Sequence, residues 1–107
     1  MELKQYSIVL VNLDPTIGSE IKKTRPCVIL SPNEINKFLN MIVVAPMTTN
    51  LKKYPTRIAV MHNNKKGMAA IDQIRTIDKT RIIKMFDSLT KLEIKKCKDI
   101  IRETFVD

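Results

Sequence analysis

Arg25 is followed by Pro26. A residue before proline is held extended, so the Arg25 guanidinium is presented with little backbone freedom. Its planar fork of donors suits a phosphate, which it grips at two oxygens at once. Thr48 leaves the apolar run Val43-Val44-Ala45-Pro46-Met47 with a hydroxyl that donates to the same kind of group. Glu20, in the stretch before Arg25, supplies a carboxylate that accepts or relays a proton. Thr24 and Thr49 stand beside these residues, and Asp72, Gln73, Arg75 and Asp78 punctuate a later apolar segment. All lie at the ends of apolar runs, where a sheet presents side chains at its rim.

Such a set matches what cleavage of a ribose phosphodiester requires. The 2′-OH attacks the adjacent phosphorus in line and expels the 5′ oxygen. That needs a proton acceptor, a proton donor and stabilisation of the added negative charge. RNA supplies its own nucleophile, so the chemistry calls for no metal ion and no cofactor. Which residue is the base and which the acid stays open, because an arginine, with a pKa above ~12, is awkward in either role. His62 is the one histidine. It stands in the turn-like run His62-Asn63-Asn64-Lys65-Lys66-Gly67 and is read as loop surface. The residues also suit a plainer reading, as charged strand ends that satisfy turns.

Charge agrees with a polyanionic partner. The 107 residues carry 19 Lys and Arg against 11 Asp and Glu, a net +8. Residues 1–50 contribute +1, and residues 51–107, with fourteen basic and seven acidic side chains, contribute +7. A basic surface of this strength favours nucleic acid through counterion release and steering. Lys52, Lys53 and Lys79 are the expected phosphate contacts in that half. Aromatic residues are only 5%, with no Trp, which is poor material for a broad base-stacking platform. Cys27 and Cys97 lie far apart and read as small buried side chains, without disulfide or metal-ligand spacing.

The elements that must hold these residues read as strands first. Apolar, β-branched runs cover Tyr6 to Leu13, Pro26 to Leu30, Met41 to Ala45 (stopped by Pro46), Thr56 to Met61 and Ile82 to Leu89. Met68 to Ile77 gives one or two more. Short strands with Pro, Gly and Asn punctuation predict a compact antiparallel sheet or small barrel. Ser31-Pro32-Asn33-Glu34 starts a short helix, with Ser31 as N-cap. Thr90-Lys91-Leu92-Glu93 is a capping box that opens an amphipathic C-terminal helix, with Leu89 and Ile94 placed as a hydrophobic staple. Its apolar face, with Ile94, Cys97, Ile100 and Ile101, is expected on the sheet or against a second copy. The loop from Asp14 to Arg25 is long for a hairpin connection, as functional loops often are. One domain over residues 1–107 is expected. No run approaches the roughly 20 apolar residues of a membrane span, and no apolar run follows the first residues, so a cytoplasmic address is expected.

Three stretches together resemble the MazF/PemK toxin family. They are Asp14-Pro15-Thr16-Ile17-Gly18-Ser19-Glu20 with Lys23-Thr24-Arg25-Pro26; Ala45-Pro46-Met47-Thr48-Thr49 with Tyr54-Pro55-Thr56-Arg57; and Gly67 through Lys79. They follow in the family's order over nearly the whole chain. The resemblance implies a mainly β, small SH3-like antiparallel barrel with a C-terminal helix, paired as a homodimer. It implies a metal-independent, sequence-selective endoribonuclease that leaves a 2′,3′-cyclic phosphate and a 5′-hydroxyl on single-stranded RNA. It also implies a small acidic antitoxin as partner, its extended tail over the substrate groove. The family's catalytic arginine falls on Arg25, its threonine on Thr48 and the acid of its Gly-Ser-Glu turn on Glu20; Asp72, Gln73 and Arg75 fall near the groove. Tyr6-Ser7 and Leu10 stand where many relatives carry Gly-Asp and an aromatic residue, which removes a turn glycine and a stacking ring. Two other classes fit the same fold: an inactive RNA-binding homologue and a gyrase-poisoning toxin.

Overall fold

The structure is a computed structural model that describes residues 2–106. Its strands are β1 (Ser7–Asn12), β2 (Thr24–Ile29), β3 (Met41–Thr48), β4 (Arg57–His62), β5 (Lys65–Ala70), β6 (Arg75–Asp78) and β7 (Ile82–Ser88). Two helices join them, α1 (Asn33–Phe38) and α2 (Lys91–Phe105), with 3-10 turns at Ile71–Gln73 and Lys79–Arg81. The strands pair antiparallel in the order β4-β5-β3-β2-β1-β7, with β6 also on β3. The expected mainly β, antiparallel fold with a C-terminal helix is thus present, its sheet curved into a half-barrel.

The continuous apolar runs have a simple cause: both faces of the central strands are buried. Along β1, Ile8 faces one cluster while Val9 and Val11 face another. In β2, Val28 faces the first cluster, and Cys27 and Ile29 the second. In β3, Ala45 and Met47 go to the first, Ile42 and Val44 to the second. Side chains alternate across a strand, so a strand between two cores must be apolar at every position.

β3 organises the sheet. One edge pairs with β2, and the other is shared by β6, opposite Met41 to Val44, and β5, opposite Met47 and Thr48. The 3-10 turn at Ile71–Gln73 bends the chain between β5 and β6, so the stretch read as one or two strands is two. β3 does not stop at Pro46, as the sequence suggested, but runs on to Thr48. Pro46 falls in the gap left between β6 and β5, on an edge with no ladder to interrupt.

α1 begins one residue later than expected, with Pro32 at the N-cap and no side-chain cap. Ser31 is turned inward instead. Its hydroxyl donates to Asn36 Oδ1 and accepts the Val43 N–H at 3.0 Å, tying α1 to β3. The capping box of α2 is formed in full: Thr90 Oγ1 accepts the Glu93 N–H at 3.2 Å, and Glu93 Oε1 accepts the Thr90 N–H at 2.8 Å. Glu93 Oε2 also accepts the Met61 N–H at 2.9 Å, joining the helix to β4. Cys97 is wholly buried, and Ile94, Ile100 and Ile101 pack on the same core, so the apolar face of α2 lies on its own sheet. Among the described residues no helix is long and apolar enough to cross a membrane.

Candidate active site

Arg25 is the second residue of β2 and Thr48 the last of β3. The two strands pair in a register that sets Cys27 against Pro46. Continued by two residues, that register puts Arg25 opposite Thr48, so a contact remote in sequence becomes a cross-strand neighbour. The two line one cavity of about 220 Å³, together with Thr49. Arg25 is half-buried, and its Nε donates to the Lys22 carbonyl at 3.1 Å, which steadies the guanidinium. Thr48 Oγ1 accepts the Asn50 N–H at 3.2 Å, leaving its hydrogen to point elsewhere.

The far wall of this cavity comes from the β4–β5 hairpin, with His62, Asn63, Lys65, Lys66 and Gly67. The sequence reading missed these residues. Only Asn63 and Asn64 form the turn, both with left-handed φ of 51° and 60°, while His62 and Lys65 are a paired strand position. The Asn-Asn pair was the available signal, since a two-residue hairpin turn needs positive φ at both positions. Three cations, Arg25, Lys65 and Lys66, thus converge on one small hollow. Behind it Cys27 is sealed, its thiol pushed up to about 12 by burial, against the pull of Arg75 and Arg25. It is therefore no thiolate nucleophile at neutral pH.

A second cavity of about 330 Å³ adjoins along β3 and holds Glu20, Asp72, Gln73 and Arg75, with Pro46 on its wall. Several bonds in and beside this cavity order the Asp14 to Lys23 loop and its entry. Glu20 Oε1 accepts the Ile17 N–H at 2.7 Å, and Gln73 Oε1 accepts the Ile21 N–H at 2.7 Å. Arg75 donates to the Leu13 carbonyl at 3.1 Å, and Arg81 to that of Asp14 at 2.7 Å. Asp72 accepts from Thr56 Oγ1 at 2.9 Å and from Arg57 Nε at 3.2 Å. Burial pushes its carboxyl up, but the bonds from Arg57, Thr56 and its own N–H prevail and hold it below the usual carboxylate value.

The remaining candidates are dispersed. Thr24 pairs with Asn12 beside Arg25 and is exposed. Lys52 sits over the Tyr54 ring, 5.3 Å from its centre. Lys53 lines a third hollow, between the β4–β5 hairpin and α2, which also contains Lys66 and Lys96. Lys79 lies at the opposite end of β3 from Thr48, where its N–H donates to the Asn40 carbonyl at 2.9 Å. The structure brings together Arg25, Thr48 and Thr49, sets Glu20, Asp72, Gln73 and Arg75 next to them, and leaves Lys79 apart. Among the described residues no group of three or more His, Cys, Asp or Glu is placed to hold a metal ion.

Comparison with known proteins gives concordant matches. Residues 4–105 match the family described as PemK-like, MazF-like toxin of type II toxin–antitoxin system. The endoribonuclease toxin MazF of Escherichia coli strain K12 is 37% identical over 70 residues, 65% of this chain and 63% of that protein. The chain therefore aligns with less than two thirds of that relative's length. The endoribonuclease MazF of Staphylococcus saprophyticus is 32% identical over 104 residues, 92% of this chain and 84% of that one. In three dimensions the crystal structure of MazF from Deinococcus radiodurans superposes with a TM-score of 0.86 at 20% identity, covering 96% of each chain.

Proposed function

The chain belongs to the PemK-like, MazF-like toxin family of type II toxin–antitoxin systems, and from that premise we propose that it is an endoribonuclease, sequence-selective for single-stranded RNA. The observation that carries this reading is that Arg25 and Thr48 line one small cationic cavity. Its size and charge suit one phosphodiester. Arg25 grips the scissile phosphate with its planar fork and stabilises charge that grows as the 2′ oxygen attacks. Thr48 donates to a non-bridging oxygen from across the groove. The products are a 2′,3′-cyclic phosphate and a 5′-hydroxyl, and no metal takes part, because substrate oxygen is the nucleophile.

We assign flanking RNA to Thr24, Thr49, Lys52, Lys53, Asp72, Gln73 and Arg75, with Lys79 a more distant phosphate contact. Glu20 enters as a proton relay by family likeness alone, since it opens on the neighbouring cavity. The +8 charge supports a small acidic antitoxin as the inhibitor. The working unit is a cytoplasmic homodimer of one domain per chain, residues 1–107. The test is purified protein with RNA in EDTA, with the ends of the fragments mapped. Cutting that leaves cyclic phosphate and 5′-hydroxyl ends is expected. Loss of cutting in EDTA with recovery on magnesium would overturn the mechanism. Binding without cutting would mark an RNA-binding homologue, and inhibition in a DNA supercoiling assay would mark a gyrase poison.

A further inference from the structure

Arg25 and Thr48 hold and stabilise a phosphate, but neither is suited to take the proton of the attacking hydroxyl. We propose that His62 is the general base, accepting the 2′-OH proton in the cavity where Arg25 and Thr48 hold the phosphate. This rests on the ribonuclease reading given above.

The hairpin brings His62 to that cavity. His62 closes β4, paired with Lys65 across a turn of only two residues, which fixes its backbone at the cavity wall. Gly67 sets how near the hairpin comes: a Cβ there would meet Met47 Cε at 3.2 Å and the Thr48 carbonyl oxygen at 3.4 Å. The bare backbone lets β5 lie close against the end of β3. The ring itself is braced edge-on by Phe86 of β7, with centroids 4.5 Å apart and planes at 65°. That contact also links the two outermost strands of the sheet, β4 and β7.

Elimination points the same way. Around that cavity Lys65, Lys66 and Arg25 are cations that only donate, and Asn63, Thr48 and Thr49 are neutral. His62 is the lining side chain whose imidazole offers an acceptor nitrogen. Asp72 is held by Arg57 and Thr56, and Glu20 faces the neighbouring cavity. The charged groups near His62 are Arg25 from β2, Lys65 and Lys66 from β5, and from β7 Asp87 in the adjoining crevice and Lys84, whose Nζ lies 5.4 Å from the centre of the Phe86 ring. In the step, the O2′–P bond forms as P–O5′ breaks. The O2′ proton passes to imidazole, O5′ takes a proton from water, and the imidazolium then returns its proton to water.

The experiment is single-turnover cleavage from about pH 5 to 9 by the wild-type chain, His62→Gln and His62→Ala. Binding is measured in parallel on RNA with a 2′-deoxy residue at the scissile position, and thermal melting checks that each variant folds. The wild-type rate should rise with pH through one ionisation and then level. Both variants should lose that limb and slow about 100-fold or more, with RNA affinity changed less than about threefold. Free imidazole should restore part of the rate to His62→Ala, which a merely structural role would not allow. A bridging 5′-phosphorothiolate, whose sulfur leaves without a proton, should not rescue either variant. Wild-type rate and pH profile in His62→Gln would sink the assignment while leaving the ribonuclease reading intact. Rescue by the phosphorothiolate would make His62 the acid and overturn its role as base. Failure of the wild-type chain to cut any RNA would end both proposals together.

Discussion

Arg25 is steadied twice, by the proline that follows it and by the Lys22 carbonyl at its Nε. In the proposed mechanism a guanidinium fixed in this way stabilises charge where it develops rather than after rearrangement. Arg25→Ala should therefore slow single-turnover cleavage about 10²–10³-fold while weakening RNA binding far less. Arg25→Lys should stay slow, because a point charge lacks the fork. Thr48→Ser keeps the hydroxyl and should keep most of the rate, and Thr48→Ala should lose it in part. Normal cutting by Arg25→Ala would remove the residue from the site. Arg25 and Thr48 were legible in the sequence because each sits where an apolar run meets polar residues. Their pairing was not: it depends on the register of β2 on β3, which strand patterning alone leaves free.

Elements carry the site through a few connections whose loss is measurable. The capping box of α2 was fully readable, being local in sequence. Its Glu93 does more than the motif requires, since it also accepts the Met61 N–H of β4. Thr90→Ala should cost about 1 kcal/mol and lower the melting temperature by roughly 4–8 °C. Glu93→Ala should cost more than Thr90→Ala, because two N–H groups in two elements lose their acceptor; equal losses would show the β4 bond to be idle. Asp72 joins β4 to the turn between β5 and β6 through Arg57. Its carboxyl is lowered in the fold, so its contribution is present above the unfolded value near ~3.9 and is lost as pH falls through the folded one. Melting temperatures of wild type and Asp72→Asn should differ at pH 7 and converge below about pH 3; a constant gap would place the effect elsewhere. Tyr6, with φ of 69°, takes the left-handed conformation that favours glycine.

On the scale of the molecule, charge from both halves of the sequence meets at one hollow. Lys65 and Lys66 belong to the strongly basic second half and Arg25 to the nearly neutral first. RNA affinity should fall steeply with salt, with Lys65→Ala and Lys66→Ala each lowering the log–log slope by about 0.7, the single-strand value per phosphate contact. Lys79→Ala, at the opposite end of β3, should change the slope less; an equal change would extend the groove to that end. The Cys97 face of α2 already covers its own core, so pairing with a second copy is expected through other surface. Light scattering should give twice the chain mass at micromolar protein, and a monomer would contradict the proposed assembly.

What the sequence by itself determined was local. Hydrophobic runs marked nearly every strand, the Thr90 to Glu93 spacing marked the start of α2, and Arg25-Pro26 and Thr48 marked residues that the structure places on one cavity. Each depends on residues within a turn or a strand of one another. Tertiary structure decided what depends on remote contacts. Pro46 continues a strand because neither β5 nor β6 pairs with it there. Ser31 gives up its cap because a part-buried backbone N–H on β3 takes its hydroxyl as acceptor. Glu20 lies in a separate cavity from Arg25, and His62, assigned by sequence to loop surface, stands at the wall of the site. Side-chain chemistry and spacing fix which groups are available, but the register and curvature of a sheet fix which of them meet, and both are set by long-range pairing.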